Sequence, residues 1–198
     1  MAGILARVLR VRELTHCHLV GYSLGARVAL GLAARWPQTI ARLTLIGVHP
    51  GLVDADARRQ RVAADQRLAD LLCAGGIEAF VERWQAHPIF ASQEALPTVI
   101  RERQRQIRLA HRASALADSL RHMGLGVMPD YRSEFARLSM PVTLVTGALD
   151  DKFTALAQPL AASNPQTRHV VLADCGHNPL MEQPRALARV LEASRLAS

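Results

Sequence analysis

Lysine is nearly absent from this sequence: Lys152 is the single one, so the basic residues behind a net charge of +7 are otherwise all arginine. Aromatic residues are scarce too, at 4% of the chain, and few of them fall among the arginines. A nucleic-acid surface needs clustered cations and stacking rings, and no nucleic-acid motif is present. The charge therefore reads as solvated helix faces, and no nucleic acid is expected as a partner. A few arginines remain candidates for an anionic substrate, because a guanidinium pairs bidentately with carboxylates and phosphates. The three cysteines, Cys17, Cys73 and Cys175, are odd in number and lack paired spacing, which argues against a disulfide framework and a zinc site. The run His16-Cys17-His18 is ligand-like on paper, but neighbours on a strand face opposite sides, so the three cannot share one metal. Also missing is any apolar run of the ~20 residues that span a bilayer. The opening MAGILARVLRVREL has no signal-peptide core. Its Ile4, Leu5, Val8 and Leu9 recur between arginines at helical spacing, and an amphipathic helix is expected there. No membrane partner and a cytoplasmic location follow as expectations.

What is present is core material: 198 residues, 49% of them hydrophobic, enough for one sizeable domain. Four runs rich in branched apolar residues and bounded by turn signals read as strands: HCHLVGY (16–22), ARLTLIGV (41–48), PVTLVTGA (141–148) and HVVLADCG (169–176). Helical patterns follow the first run (24–36), separate the third from the fourth (154–162) and close the chain (184–196). Strands alternating with helices predict a parallel sheet covered on both faces. The long interval 50–140 shows helical pattern and no convincing strand, and an insertion of that size is expected to be a helical lid. The expected organisation is thus core (1–49), lid (50–140) and core (141–198).

Chemistry in such sheets sits at the carboxyl ends of the strands. The first run ends Gly21-Tyr22-Ser23-Leu24-Gly25, a G-x-S-x-G corner that lifts a serine out between strand and helix, as in the nucleophile elbow of α/β-hydrolases. Glycines two residues to either side of Ser23 are expected to remove side chains that would clash in so sharp a turn. The third run leads into Asp150 and Asp151, and the fourth into Asp174-Cys175-Gly176-His177. Serine, acid and histidine follow one another in the chain order of α/β-hydrolases. A serine hydroxyl needs a base within hydrogen-bond reach, here His177. The histidine in turn needs a carboxylate to hold its tautomer. Asp150, at the G-x-x-D position after the strand, is the chosen acid, with Asp151 the nearest rival and Asp174 a weaker one that shapes the turn. The Leu24 N–H at the helix start is the expected oxyanion donor. The second donor belongs on a loop after an earlier strand, and no such strand precedes the elbow in this sequence.

The chain resembles the menaquinone-pathway synthases, a lyase family of the α/β-hydrolase fold, from around Ile4 onward. The matching segments are GYSLGARVAL, RRQRVAADQRLADLLCAGGIEAFVERWQAHPIF, ALADSLRHMGLGVMPDYRSEF, GALDDKF and GHNPLMEQP. Elbow and triad are shared with many esterases, whereas FVERW followed by HPIF and the LRHMGLG run are far more specific. The resemblance implies elimination of pyruvate from 2-succinyl-5-enolpyruvyl-6-hydroxy-3-cyclohexene-1-carboxylate, a small anionic substrate, with Ser23 as general base and His177 and Asp150 raising its basicity. It implies no cofactor and no metal. Carried over by position, it makes Tyr22, Arg27, Arg61 and Trp84 substrate-binding residues. Arg27, one helical turn past Ser23, shares its face and can clamp a carboxylate. The alternatives are a surface ion pair with Asp65 for Arg61, packing within the lid for Trp84 and support of the turn for Tyr22. Lys152 and Phe153 match the family pattern without an assignable role.

The elbow departs mildly from that pattern, with Ala26 where the family often has a second glycine. The larger departure is at the start. The resemblance implies an α/β-hydrolase sheet lacking its N-terminal strands and the loop that completes the oxyanion hole, as in a misplaced gene start or a fragment. The elbow strand would then form an exposed apolar edge. Two other functions stay open: a generic ester or carbon–carbon bond hydrolase working through an acyl-enzyme on Ser23, and an inactive remnant.

Overall fold

Branched apolar residues generate four strands: β1 (Cys17–Tyr22), β2 (Ile40–Ile46), β3 (Val142–Gly147) and β4 (Thr167–Leu172). The computed structural model describes residues 1–196. The strands form one sheet in the order β1-β2-β3-β4, parallel at every pairing. Helices α1 (Ala2–Val11) and α2 (Leu24–Arg35) flank β1 in the chain. Between β2 and β3 come α3 (Ala55–Gln85, broken at Gly76), α4 (Thr98–Leu109), α5 (Ala113–Met123) and the short α6 (Arg132–Phe135). Helix α7 (Asp151–Ser163) joins β3 to β4, and α8 (Pro179–Glu182) and α9 (Pro184–Leu196) follow.

The chain divides into two compact units, one running up to Pro50 and resuming at Tyr131, the other spanning Gly51–Asp130. In the sheet unit β3 is buried along its whole length, as a parallel strand covered on both faces must be. Helix α9 lays Leu187 and Val190 against Ile46, Val145, Leu172 and Cys175. The next residue along β3, Thr146, faces the opposite side, where Thr154 of α7 donates a hydrogen bond to it (3.0 Å). Small residues let α2 approach β1 and β2 closely: Ala26, Ala29 and Ala33 are buried beside Leu30 and Leu32. Strand β1 lies at one edge of the sheet, with Val20 42% exposed. The helical unit has its own core of Ala69, Leu72, Phe80, Val81 and Ala117, where α3 packs on α5.

Three strands end earlier than the sequence pattern predicts, β3 by the single residue Ala148. The run 41–48 leaves the sheet after Ile46 because Gly47 takes φ 58°. The run 169–176 starts earlier, at Thr167, and stops at Leu172, because Asp174 turns the chain at φ 50°. The His16-Cys17-His18 side chains diverge: Cys17 Sγ contacts the Thr39 carbonyl (3.6 Å), and His18 Nε2 bonds Thr44 Oγ1 (2.8 Å).

Asn164, only 1% exposed, ties its own turn to the 135–138 segment. Its amide donates to the carbonyls of Phe135 (2.8 Å) and Leu138 (3.0 Å), and its Oδ1 accepts from the Gln166 N–H (2.9 Å). Asn164→Ala strands two buried carbonyls and one part-buried N–H and is expected to cost about 2–3 kcal/mol of stability by denaturant titration. A second test concerns pH. His18 bonds Thr44 across β1 and β2, and His169 bonds Thr146 (2.8 Å) across β4 and β3. Burial holds both imidazoles below their ordinary value, with Arg42 adding to the effect at His18. The unfolded chain therefore takes up these protons first, and stability rises with pH. The melting temperature is expected to fall as pH drops below 6.5, the ordinary histidine value, and to fall less steeply in a His18→Asn/His169→Asn variant.

Candidate active site

The hydrogen-bond ladder of the sheet runs on past the strand ends and ties their tips together. Ser23 N–H donates to the Ile46 carbonyl (2.8 Å), Gly47 N–H to Val145 (2.9 Å), Ala148 N–H to Leu172 (2.8 Å) and Leu149 N–H to Cys175 (2.8 Å). Three side chains meet above that ladder. His177 Nδ1 lies 2.7 Å from Asp150 Oδ2, and His177 Nε2 lies 3.1 Å from Ser23 Oγ.

Ser23 holds φ 50° and ψ −108°, a conformation costing about 1–3 kcal/mol in a residue other than glycine. Gly21 makes the corner possible, since a Cβ there would sit 2.5 Å from the Gly25 carbonyl oxygen. Gly25 differs from expectation: a Cβ on it would meet nothing within 4 Å. The steric requirement in this elbow falls on Gly21 alone, because it is the Gly25 carbonyl, not its α-carbon, that crowds the turn. Ser23 occupies the N-cap position of α2 yet makes no side-chain cap, and Asp150 at the N-cap of α7 makes none either. Serine and aspartate normally cap there, and forgoing that bond costs about 1 kcal/mol each. Both side chains turn to the imidazole instead. The Leu24 N–H is the first amide of α2, ahead of the first intrahelical bond from Arg27 N–H to Ser23 O (3.1 Å), and such first-turn amides have no helical acceptor.

The imidazole is held on its faces as well as its nitrogens. The Tyr22 ring centroid lies 5.5 Å away and that of Phe153 4.4 Å. Gly47 closes the edge, for a Cβ there would come within 2.7 Å of His177 Cε1. With Asp150 an acceptor, Nδ1 carries the proton and Nε2 presents a lone pair to the Ser23 hydroxyl, the tautomer needed to take up a serine proton. Of the rival acids, Asp151 is exposed in the first turn of α7 and Asp174 is exposed in the turn before His177. Arg27 is half-buried on α2, one turn from Ser23.

Arg61 and Trp84 both lie on α3 of the helical unit, on opposite sides of the Gly76 break. Arg61 Nε donates to Asp65 Oδ1 (2.9 Å), and Asp65 is only 3% exposed. This is an ion pair with a buried partner rather than the surface pair the spacing suggested. Trp84 stacks on Phe80 (5.6 Å, 16°) and sits 5.9 Å from Phe90, over which Arg108 lies (4.9 Å). Sequence reading left Phe153 without a role and passed over Gly47. Phe153 had a usable signal: it stands three residues after Asp150, one helical turn on. No cluster of three or more His, Cys, Asp or Glu side chains suited to a metal forms among the described residues, and no helix there is long and apolar enough to cross a membrane.

A serine on a strand-to-helix corner, bonded through histidine to an acid from another strand tip of a parallel sheet, defines an α/β-hydrolase architecture. The model of the Alpha/beta hydrolase family matches residues 2–190, and the chain belongs to that family. Among its relatives is a Bacillus subtilis (strain 168) protein provisionally named 2-succinyl-6-hydroxy-2,4-cyclohexadiene-1-carboxylate synthase, 36% identical over 94% of this chain and 68% of that protein. The synthase of that name from Enterobacter sp. (strain 638) is 34% identical over 96% of this chain and 71% of its own length. Among solved structures, MenH from S. aureus superposes with a TM-score of 0.94 at 30% identity, covering 98% of this chain and 73% of that one. A thermophilic esterase from Thermogutta terrifontis (TM-score 0.83, 24% identity, 97% of this chain and 69% of that one) shares the fold.

Cys175 lies beside these groups, fully buried. Burial first, then the Glu182 and Asp150 carboxylates, push its thiol up to about 12, so the thiolate is unavailable as a competing nucleophile. Iodoacetamide at pH 8 is expected to alkylate exposed Cys73 in the native protein and to spare Cys175 until denaturant is added, as read by peptide mass spectrometry.

Proposed function

We propose that the chain is a carbon–oxygen lyase that eliminates pyruvate from 2-succinyl-5-enolpyruvyl-6-hydroxy-3-cyclohexene-1-carboxylate in menaquinone biosynthesis. The observation that carries this reading is the continuous hydrogen-bonded relay from Ser23 Oγ through His177 to Asp150, in a chain whose curated relatives are named as synthases of the product. In the proposed step Ser23 passes its proton to His177 Nε2 while its oxygen takes a proton from the substrate ring. The electron pair of that C–H bond becomes a ring double bond, and the shift breaks the C–O bond to the enolpyruvyl group. Pyruvate leaves as its enolate and is reprotonated at carbon, and the relay returns to its starting state. Asp150 holds the imidazole tautomer and stabilises the imidazolium. General base catalysis of this kind contributes about 10²–10⁴-fold.

The Leu24 N–H is assigned to developing negative charge on oxygen. Tyr22 and Arg27 are assigned to the substrate, Arg27 to one of its carboxylates. The reading makes the helical unit the lid and assigns Arg61 and Trp84 to the substrate as well. In its support, Asp65 already fixes the Arg61 side chain through Nε, which leaves the two terminal nitrogens of the guanidinium fork for a carboxylate.

Ser23→Ala is expected to lower kcat for pyruvate release by about 10³-fold, measured with a coupled pyruvate assay. Arg27→Ala is expected to lower kcat/KM by about 30-fold, the equivalent of one charged hydrogen bond worth ~2 kcal/mol. Full activity in Ser23→Ala overturns the mechanism. A stoichiometric burst from an activated ester, without pyruvate release from the cyclohexene, points instead to an acyl-enzyme hydrolase.

A further inference from the structure

We propose that Glu182 is a positioning residue for His177, gripping the backbone on both sides of the imidazole-bearing residue. Its Oε2 accepts from the Gly176 N–H (2.6 Å) and its Oε1 from the Asn178 N–H (3.0 Å). His177 stands between the two residues whose amides Glu182 holds.

The segment that carries His177 has no ladder of its own. Strand β4 has ended at Leu172, Asp174 has turned the chain at φ 50°, and α8 does not begin until Pro179. Backbone amides in such a connection need acceptors from elsewhere. A carboxylate supplies the strong, charge-assisted kind. The Asn178 N–H lies in the peptide plane that leaves His177 and the Gly176 N–H in the plane that enters Gly176, so the two bonds brace the backbone before and after His177, and with it the direction in which Cβ of His177 leaves the backbone. Glu182 is itself tied back to the same loop, for Met181 and Glu182 both donate their N–H groups to the Asn178 carbonyl (3.0 Å each). The Gln183 side-chain amide donates to the Asp174 carbonyl (3.3 Å). The result is a closed ring of bonds from 174 to 183 with the imidazole projecting from its centre.

That ring matters because the far end of the imidazole must serve two partners at once, at 2.7 Å and 3.1 Å. A displacement of ~1 Å at such a site can cost about 10²-fold in rate. Gln at 182 keeps the shape but replaces one acceptor oxygen with a donor NH₂, which meets an amide N–H head-on. Asp keeps both acceptors and the charge but is one methylene short.

The inference rests on reading Ser23, His177 and Asp150 as one relay, and not on the identity of the substrate. The test therefore uses diisopropyl fluorophosphate on the whole chain. Ser23 Oγ attacks phosphorus, fluoride departs and the serine proton passes to His177, and intact-mass spectrometry gives kinact and KI separately. Glu182→Gln is expected to lower kinact at least tenfold with KI within twofold of the parent, and Glu182→Asp to recover part of the loss. A kinact for Glu182→Gln within twofold of the parent, or a loss confined to KI, overturns the proposal. Should the Gln variant not fold by circular dichroism, the Asp variant decides: a kinact reduced at least threefold supports the proposal, and a smaller change overturns it. A parent chain that is not labelled at Ser23 overturns the relay and this proposal together. A labelled parent with an indifferent Glu182 overturns this proposal alone.

Discussion

A single imidazole, bonded on both nitrogens to residues far away in the chain, is the interaction around which the sheet unit is organised. Ser23 and His177 are 154 positions apart and Asp150 and His177 are 27 apart, so neither bond arises from local structure. Each needs the parallel register of the sheet to bring strand tips to one end. The bonds that continue the ladder beyond the strands, from Ser23 N–H to Ile46 and from Leu149 N–H to Cys175, carry that register into the loops. Local preferences run against the arrangement: a serine at positive φ, and two N-cap residues whose side chains leave their helices uncapped. Such local conflicts persist only where the surrounding structure over-determines them, here through a fully buried central strand and helices on both faces.

The legible parts of this molecule were those in which one residue type does one job at one place in the chain. G-x-S-x-G after an apolar run marks a corner whatever surrounds it, and Gly21 has the close contact with the Gly25 carbonyl that such a corner demands. The inner strands β2 and β3, largely buried, announce themselves as continuous branched runs, and the edge strands β1 and β4, though partly exposed, keep enough branched residues for the parallel sheet to be read from all four. Less legible was anything set by contact between distant segments. Gly47 looks like an ordinary strand-end glycine until the His177 ring is seen against it. Phe153 looks like a core residue of α7 until its ring is found 4.4 Å from the imidazole. Strand ends were misjudged for the same reason, because Ala173-Asp174-Cys175 continues an apolar run in sequence while Asp174 adopts a turn conformation in space.

The helical unit shows how a structural ion pair can leave part of a side chain's donor set unused. Asp65 is a carboxylate buried to 3% exposure, and one of its oxygens, Oδ2, has no hydrogen-bond partner. A buried charge without a counter-ion is costly, so the bond from Arg61 Nε offsets part of what the fold would otherwise lose. The spacing R-x-x-x-D suggested two exclusive alternatives, a surface ion pair or a ligand contact. The alternatives are not exclusive, because pairing through Nε consumes one edge of a guanidinium that has five N–H donors. Trp84 is held by packing, stacked on Phe80 and flanked by His87 and Phe90.

The contrast between elimination and hydrolysis turns on what meets the serine oxygen, since the relay behind it is common to both. An oxygen activated by His177 attacks carbon when an electrophilic carbonyl lies within reach. It takes a proton when an acidified ring C–H lies there instead. Fold likeness cannot separate these outcomes, for an esterase shares the architecture at a TM-score of 0.83, and function resides in the site rather than in the fold. What separates them is the charge around the substrate. A substrate with several carboxylates needs cations to hold it, and its orientation over Ser23 decides which atom faces the oxygen. Under the proposed function, Arg27, one turn from Ser23 on the same helix, is the cation assigned to that orientation. An uncharged ester gains nothing from such a cation, so the dependence of turnover on Arg27 bears on the reaction type as well as on binding.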